Sequence, residues 1–129
     1  MSLLSVEDLS VAIGATAILT GVTLALAPGE TLALVGESGS GKSMTARAIV
    51  RLLPPGARTS GRVALDGQAL DALPERELCR VRGRRIGFVF QEPMTALNPV
   101  QPIGRQIAEA ILWHRAATRE EAADRVAGL

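Results

Sequence analysis

The chain has 129 residues, 47% of them hydrophobic, with a formal net charge of +1 and one cysteine. That length is one domain or part of a larger one. The near-neutral balance, with Phe88, Phe90 and Trp113 as the sole aromatics, leaves no electrostatic case for nucleic acid. Cys79 stands alone, so no internal disulfide forms and a reducing compartment is the natural setting.

Residues 3–11 and 18–26 read as two strands by their apolar alternation. No charged residue lies between Asp8 and Glu30, a span long enough to suggest a membrane helix, but Gly14, Thr16, Thr20, Gly21, Thr23 and Pro28 break it into strand-like pieces. The extreme N-terminus is acidic, with no basic residue near it, which argues against a signal peptide; a soluble cytoplasmic protein is expected. Pro28-Gly29 marks a turn into residues 31–35 (TLALV), expected as a short buried strand. A helix is expected over residues 43–53, stopped by Pro54-Pro55-Gly56. Residues 61–66 form a further strand closed by Asp66-Gly67, and residues 73–81 a short helix with Pro74 in its first turn. Residues 86–90 (IGFVF) read as a second compact apolar strand, followed by an irregular stretch to Pro102. Ile103, Ile107, Ala110, Ile111 and His114 then share one face of a helix. Thr118-Arg119-Glu120-Glu121 has the form of a capping box opening the last helix. The order is β-rich, then α/β, then helical, without internal repeats or low-complexity segments.

Between the strand at 31–35 and the helix at 43–53 lies Gly36-Glu37-Ser38-Gly39-Ser40-Gly41-Lys42-Ser43, a G-x-x-x-x-G-K-S pattern. Strand, glycine loop and helix are the context in which this pattern binds phosphate. Glycines admit backbone conformations that turn successive N–H groups inward around a β-phosphate, and the helix N-terminus adds unpaired N–H groups and a positive dipole end. Lys42 reaches β- and γ-phosphates, and the Ser43 hydroxyl is placed to ligate Mg²⁺. Lys42 is also the one lysine among 14 Lys and Arg residues, standing where a compact ammonium is wanted.

Directly after residues 86–90 comes Gln91, in the run Gln91-Glu92-Pro93-Met94-Thr95-Ala96-Leu97-Asn98-Pro99. An amide at a strand end can accept from an attacking water or ligate Mg²⁺ through its oxygen, without ionising. With GESGSGKSMT at 36–45, FQEPMTALNPV at 90–100 and APGETLALV at 27–35, the whole chain resembles ABC-transporter ATP-binding subunits, more narrowly their dipeptide/oligopeptide/nickel importer branch.

The resemblance implies an α/β P-loop NTPase cassette with an antiparallel β-rich N-terminal subdomain. The chain would be the N-terminal part of that ATP-binding domain, with the phosphate loop at 36–43, the Q-loop from 91 and the start of the helical subdomain at about 101–129. It is expected to stop before the signature and Walker B segments, since neither an LSGGQ-like run nor an apolar strand ending in Asp-Glu is present. The resemblance further implies ATP and Mg²⁺ as ligands, with Gly36 to Ser43 and Met44 around the phosphates and Mg²⁺ and Gln91 sensing the γ-phosphate. It implies transmembrane permease subunits, a second ATP-binding subunit and, indirectly, an extracytoplasmic solute-binding protein as partners, at the cytoplasmic face of the membrane. Residues 92–99 would lie at the surface that docks onto the permease, and Ser38 could add a hydroxyl contact to the terminal phosphate. Full-length members hydrolyse ATP to drive uptake of peptide-like or metal-chelate solutes; for this chain alone hydrolysis is left open.

Two departures stand out. Aligning residues 9–14 puts Ile13 where the family has an adenine-stacking aromatic, and no aromatic precedes Phe88, which should weaken the grip on the base. Met44 offers only its backbone N–H where many relatives have a hydroxyl. His114, the sole histidine, is expected as a half-buried structural residue on its helix face. Two other classes remain open on sequence. A non-hydrolytic nucleotide-binding regulatory module would fit the missing carboxylate strand. A small kinase or GTPase is opposed by the β-rich front, the Gln91 segment and the lack of a guanine-reading N-K-x-D.

Overall fold

The computed structural model describes residues 2–92, 96–114 and 117–129, in two compact units, Met1–Pro74 and Glu75–Leu129. In the first unit β1 (Leu4–Ile13) lies between β2 (Thr16–Leu26) and β3 (Ala57–Leu65), antiparallel to both. The short β4 (Gln68–Ala69) extends β3, giving the order β2-β1-β3-β4. Two tight hairpins follow from the sequence. Gly14, at φ 60°, lets Ile13 pair with Thr16, and Asp66-Gly67, at φ 51° and 76°, has the two left-handed residues of a primed turn, so Leu65 meets Gln68.

Strict alternation from Val6 would put Leu9 and Val11 on the opposite face of the sheet. Instead Val6, Leu9 and Val11 are all buried, because β1 carries an extra residue. The register shifts between Val6 and Leu9 against β2, and between Glu7 and Ser10 against β3, with Asp8 at φ 56°. This is a β-bulge, and it flips the parity of the strand. Aspartate tolerates the left-handed region, and its displaced N–H donates to Thr23 Oγ1 at 3.0 Å. Gly61, opposite the bulge at φ 94°, has no room for a side chain, since a Cβ there would strike the Asp8 carbonyl. Val6, Val11 and Leu70 are buried to within 1% of completely, each worth about 1.5–3 kcal/mol of transfer from water.

Helix α1 (Lys42–Ile49) packs against β2 and buries Thr45 and Ala48. It is shorter than the expected 43–53: Val50 caps it and Arg51 turns left-handed at φ 53°. The Arg51 guanidinium then donates to the carbonyls of Leu70 and Leu73, at 3.4 and 2.5 Å, tying the helix end to the segment after β4. At the other end Gly41 takes φ 91°, and a Cβ on it would sit 2.5 Å from Leu19 Cδ2 of β2.

The two expected strands at 31–35 and 86–90 are not strands. Residues 31–35 carry no ladder pairing and are exposed, Val35 to 92%. In the second stretch only Ile86 makes an isolated parallel bridge, to Arg82, and Val89 is 93% exposed. Apolar, β-favouring side chains do not make a strand without a neighbour to exchange N–H and C=O groups with. Among the described residues no strand lies alongside either stretch.

The second unit is helical: α2 (Glu75–Val81), α3 (Ile103–Trp113) and α4 (Arg119–Ala127). Helix α2 buries Leu78 and Val81, and an Arg82–Glu75 ion pair at 2.5 Å joins its start to the residue after its end. Helices α3 and α4 pack together, closely at Gly104, where a Cβ would lie 3.1 Å from Val126 Cγ1. His114, half-buried at the end of α3, lies over Gly83, whose missing Cβ would be 2.6 Å from its Nε2. That packing agrees with the structural role expected of it. The capping box is present in full: Glu121 N–H donates to Thr118 Oγ1 at 3.3 Å, and Thr118 N–H donates to the Glu121 carboxylate at 2.7 Å. Among the described residues no helix is long and apolar enough to cross a membrane.

Two outcomes are expected. Gly39, at φ 82°, has open space where a Cβ would go, whereas Gly41 has Leu19. Gly39→Ala should therefore cost only the left-handed penalty of about 1–2 kcal/mol. Gly41→Ala should cost more, and urea midpoints for the two variants separate backbone strain from the Leu19 contact. The second outcome concerns α4. The Thr118 backbone N–H, and secondarily its hydroxyl, hold the Glu121 carboxyl below the usual glutamate range. A depressed carboxylate stabilises above its unfolded pKa and loses that contribution as pH falls through the folded one. Carbon chemical shifts of residues 119–127 should thus report steady helix from neutral pH downward, fraying only in acid. Glu121→Gln should flatten that acid step.

Candidate phosphate-binding site

The 36–43 loop is built from local contacts. Lys42 folds back so that its Nζ donates to Gly36 O at 2.6 Å, Glu37 O at 2.7 Å and Ser40 Oγ at 3.1 Å. A turn bond from Ser40 N–H to Glu37 O, at 3.2 Å, closes the loop. The three glycines serve different needs. Gly39 supplies a left-handed residue in open space. Gly41 supplies a left-handed residue and clearance for Leu19. Gly36 is not left-handed; its missing Cβ would lie 2.6 Å from Ser40 Oγ, so it is glycine for room.

Gly41 is the N-cap of α1, and no side chain caps the helix. The first N–H groups of an α-helix have no intrahelical acceptor. Here they belong to Lys42, Ser43 and Met44, at the mouth of the loop, with no acidic residue in the first turn. Those amides leave an anion-favouring helix end next to the loop that holds the Lys42 ammonium. The hydroxyls of Ser38 and Ser43 make no bond to another described residue, so both oxygens are available to a ligand. Thr45, buried one turn on, donates its hydroxyl back to Gly41 O at 2.9 Å and so ties the loop to the helix. The loop itself is a rim, with residues 31–40 all exposed.

Ile13 is the last residue of β1, paired with Thr16 and with Ala57. Alternation past the bulge puts it on the Val11 face. Val11 pairs with Leu19, the residue beneath Gly41, so Ile13 stands on the sheet face that carries the loop, two residues further along. Arg58, which sequence reasoning passed over, pins the neighbouring hairpin by donating to Gly14 O at 2.7 Å. Leu19 and Thr45 were passed over as well. A threonine four residues after the loop's last glycine is the pattern for a back-bond to that carbonyl, and would have found Thr45.

Residues 36–44 and Ile13 thus belong to one unit, Ile13 on the sheet face that carries Leu19. Gln91 belongs to the other unit, exposed in a bend after Phe88 and Phe90, whose rings pack 4.8 Å apart. Residues 93–95 of the expected docking segment lie outside the described residues.

A family model described as "ABC transporter" matches residues 19–128. The chain is 53% identical over 129 residues to a "Peptidoglycan transport ATP-binding protein YejF" of Agrobacterium fabrum, covering 95% of this chain and 24% of that protein. It is 44% identical over 133 residues to an "Oligopeptide transport ATP-binding protein OppD" of Bacillus subtilis, covering 98% of this chain and 37% of that one. The chain therefore spans 24% and 37% of the length of these two relatives. Its fold matches the "Dimeric structure of a post-hydrolysis state of the ATP-binding cassette MJ0796 bound to ADP and Pi" with a TM-score of 0.78 and 27% identity, over 97% of this chain and 54% of that one. A family match over most of the chain, close relatives and a cassette fold around the phosphate loop agree: this chain belongs to the ABC transporter family of ATP-binding cassettes.

Proposed function

We propose that this chain is the nucleotide-binding half of the ATP-binding component of an importer for peptide-like or metal-chelate solutes. The observation that carries the reading is the Lys42 ammonium, held inside a loop whose far side is the uncapped N-terminus of α1. A triphosphate fits that arrangement by charge and by donor count: one cation, several amides, and the free hydroxyls of Ser38 and Ser43. The names of the relatives point to peptide transport, and the cassette of known structure holds ADP and phosphate as a dimer.

Mg²⁺ suits the donors available. The Ser43 oxygen is a hard, unpartnered ligand in the first turn of α1, and no group of three His, Cys, Asp or Glu among the described residues forms a protein cage. A Mg²⁺ held by one protein oxygen takes its remaining ligands from phosphates and water. Bound there, it would neutralise charge on the β- and γ-phosphate oxygens. Gln91 is assigned to orient the attacking water or add a ligand oxygen. Lys42 stabilises charge that builds on the transferring phosphoryl group. Hydrolysis is assigned to the complete cassette, with permease subunits and a second ATP-binding subunit as partners on the cytoplasmic face of the membrane. Residues 101–129 would begin its helical subdomain.

Lys42→Ala should weaken Mg-ATP binding at least tenfold by calorimetry, in line with about 1.5–3 kcal/mol for a hydrogen bond to a charged group. Equal affinities in folded samples would remove the phosphate-loop assignment. Ile13→Phe or Ile13→Tyr should tighten ATP by about 0.5–1.5 kcal/mol through a restored ring face, while inorganic triphosphate binding stays unchanged. An aromatic variant that binds ATP no better places the base elsewhere.

A further inference from the structure

An ammonium has three N–H donors, and in Lys42 all three are engaged by oxygens of its own loop. They are not equivalent. Gly36 O and Glu37 O are main-chain carbonyls, at 2.6 and 2.7 Å, fixed by the turn. Ser40 Oγ is a side-chain hydroxyl, the longest of the three at 3.1 Å, and free to rotate about one bond. It is also the one partner that can both accept and donate. Its position is built: the space it occupies is the space that glycine leaves at position 36, where a Cβ would come within 2.6 Å of Ser40 Oγ and 3.2 Å of Ser40 Cβ. Residue 36 is glycine without needing a left-handed backbone, so the clearance for Ser40 is what its small size provides.

We propose that Ser40 is a positioning residue for Lys42: its hydroxyl is the exchangeable third acceptor that keeps the ammonium aimed into the loop and yields its place to a phosphate oxygen. The two carbonyls stay on the ammonium throughout, and the released hydroxyl turns to donate to the incoming phosphate. A lysine side chain loses about 1.5–2 kcal/mol of rotamer freedom when fixed. Fixing it beforehand removes that loss from the binding step. The proposal rests on the polyphosphate-binding reading above and names how that site is held ready.

The chain's single lysine makes the test direct, since ¹⁵Nζ-labelled lysine gives one ammonium resonance, from Lys42. The probe is inorganic tripolyphosphate, which leaves the base out. Ser40→Ala should speed exchange of the ammonium protons with water, broadening that resonance, and weaken tripolyphosphate binding by about two- to tenfold. Ser40→Thr, which keeps the hydroxyl, should restore both. Gly36→Ala should mimic Ser40→Ala by pushing the hydroxyl off Lys42, and the double variant should be no worse than Gly36→Ala alone. Should Ser40→Ala not fold, Ser40→Cys keeps the size with a weak acceptor and should give an intermediate exchange rate. A lysine resonance and an affinity unchanged in folded Ser40→Ala or Ser40→Cys overturn the proposal, as does additivity of the Gly36 and Ser40 substitutions. If Lys42→Ala abolishes tripolyphosphate binding while the Ser40 variants match the parent, the phosphate site stands and the role of Ser40 falls. If Lys42→Ala binds as well as the parent, the site itself is wrong.

Discussion

The bulge at Asp8 is the constraint on which the site depends. It moves Leu9, Val11 and Ile13 from the solvent face of β1 to the face that Val6 already buries. Val11 then meets Leu19 across the ladder, and Leu19 fills the space beneath Gly41. Through that chain of contacts one extra residue in a strand sets where the 36–43 loop rests and which side chain lies along the sheet beyond it. The cost of a left-handed aspartate, about 1–3 kcal/mol for a sparsely populated backbone region, is offset locally by the Thr23 hydroxyl and the clearance at Gly61.

Above that apolar support the loop is polar and self-contained. Its ammonium is satisfied by loop oxygens, while the amides at the start of α1 are left without side-chain caps. These two facts belong together. A helix start with a Ser, Thr or Asp cap would have its first donors occupied, whereas glycine at the cap leaves them open to an anion. The same glycine must be left-handed and must clear Leu19, so one position meets a conformational, a steric and a functional demand at once.

What the sequence disclosed follows from the range of the forces involved. The glycine loop at 36–43, the Asp66-Gly67 turn and the Thr118–Glu121 box are written in residues within a few positions of one another; the turn and the box are found as read, and the loop opens a helix as expected although no strand leads into it. The strands expected at 3–11 and 18–26, found at 4–13 and 16–26, were legible because alternation is local as well. The bulge was not: Val6 to Leu9 breaks the period of two, and only the two neighbouring strands reveal an extra residue rather than a strand end. The early end of α1 was hidden for a similar reason, since Arg51 leaves the helix to reach carbonyls some twenty positions away. Of the candidate site, the loop residues are named by their motif and Ile13 by alignment alone. Thr45 is legible from its spacing to Gly41, whereas Leu19 and Arg58 act through contacts that no motif encodes.

The stretches at 31–35 and 86–90 teach a different point. Both have strand composition and both flank residues assigned to the nucleotide, yet Val35 and Val89 stand almost wholly exposed. Strand propensity is mostly a statement about fitting a half-buried pleated surface, so it is realised only when a neighbour supplies that surface. The loop after residue 35 nevertheless has a defined form. Its geometry must therefore come from elsewhere: from the Lys42 ammonium drawing Gly36, Glu37 and Ser40 together, from the Ser40 to Glu37 turn bond, and from Leu19 and Thr45 anchoring Gly41. The loop is held from its helix side and from β2, and the unpaired stretch that leads into it is not what gives it shape.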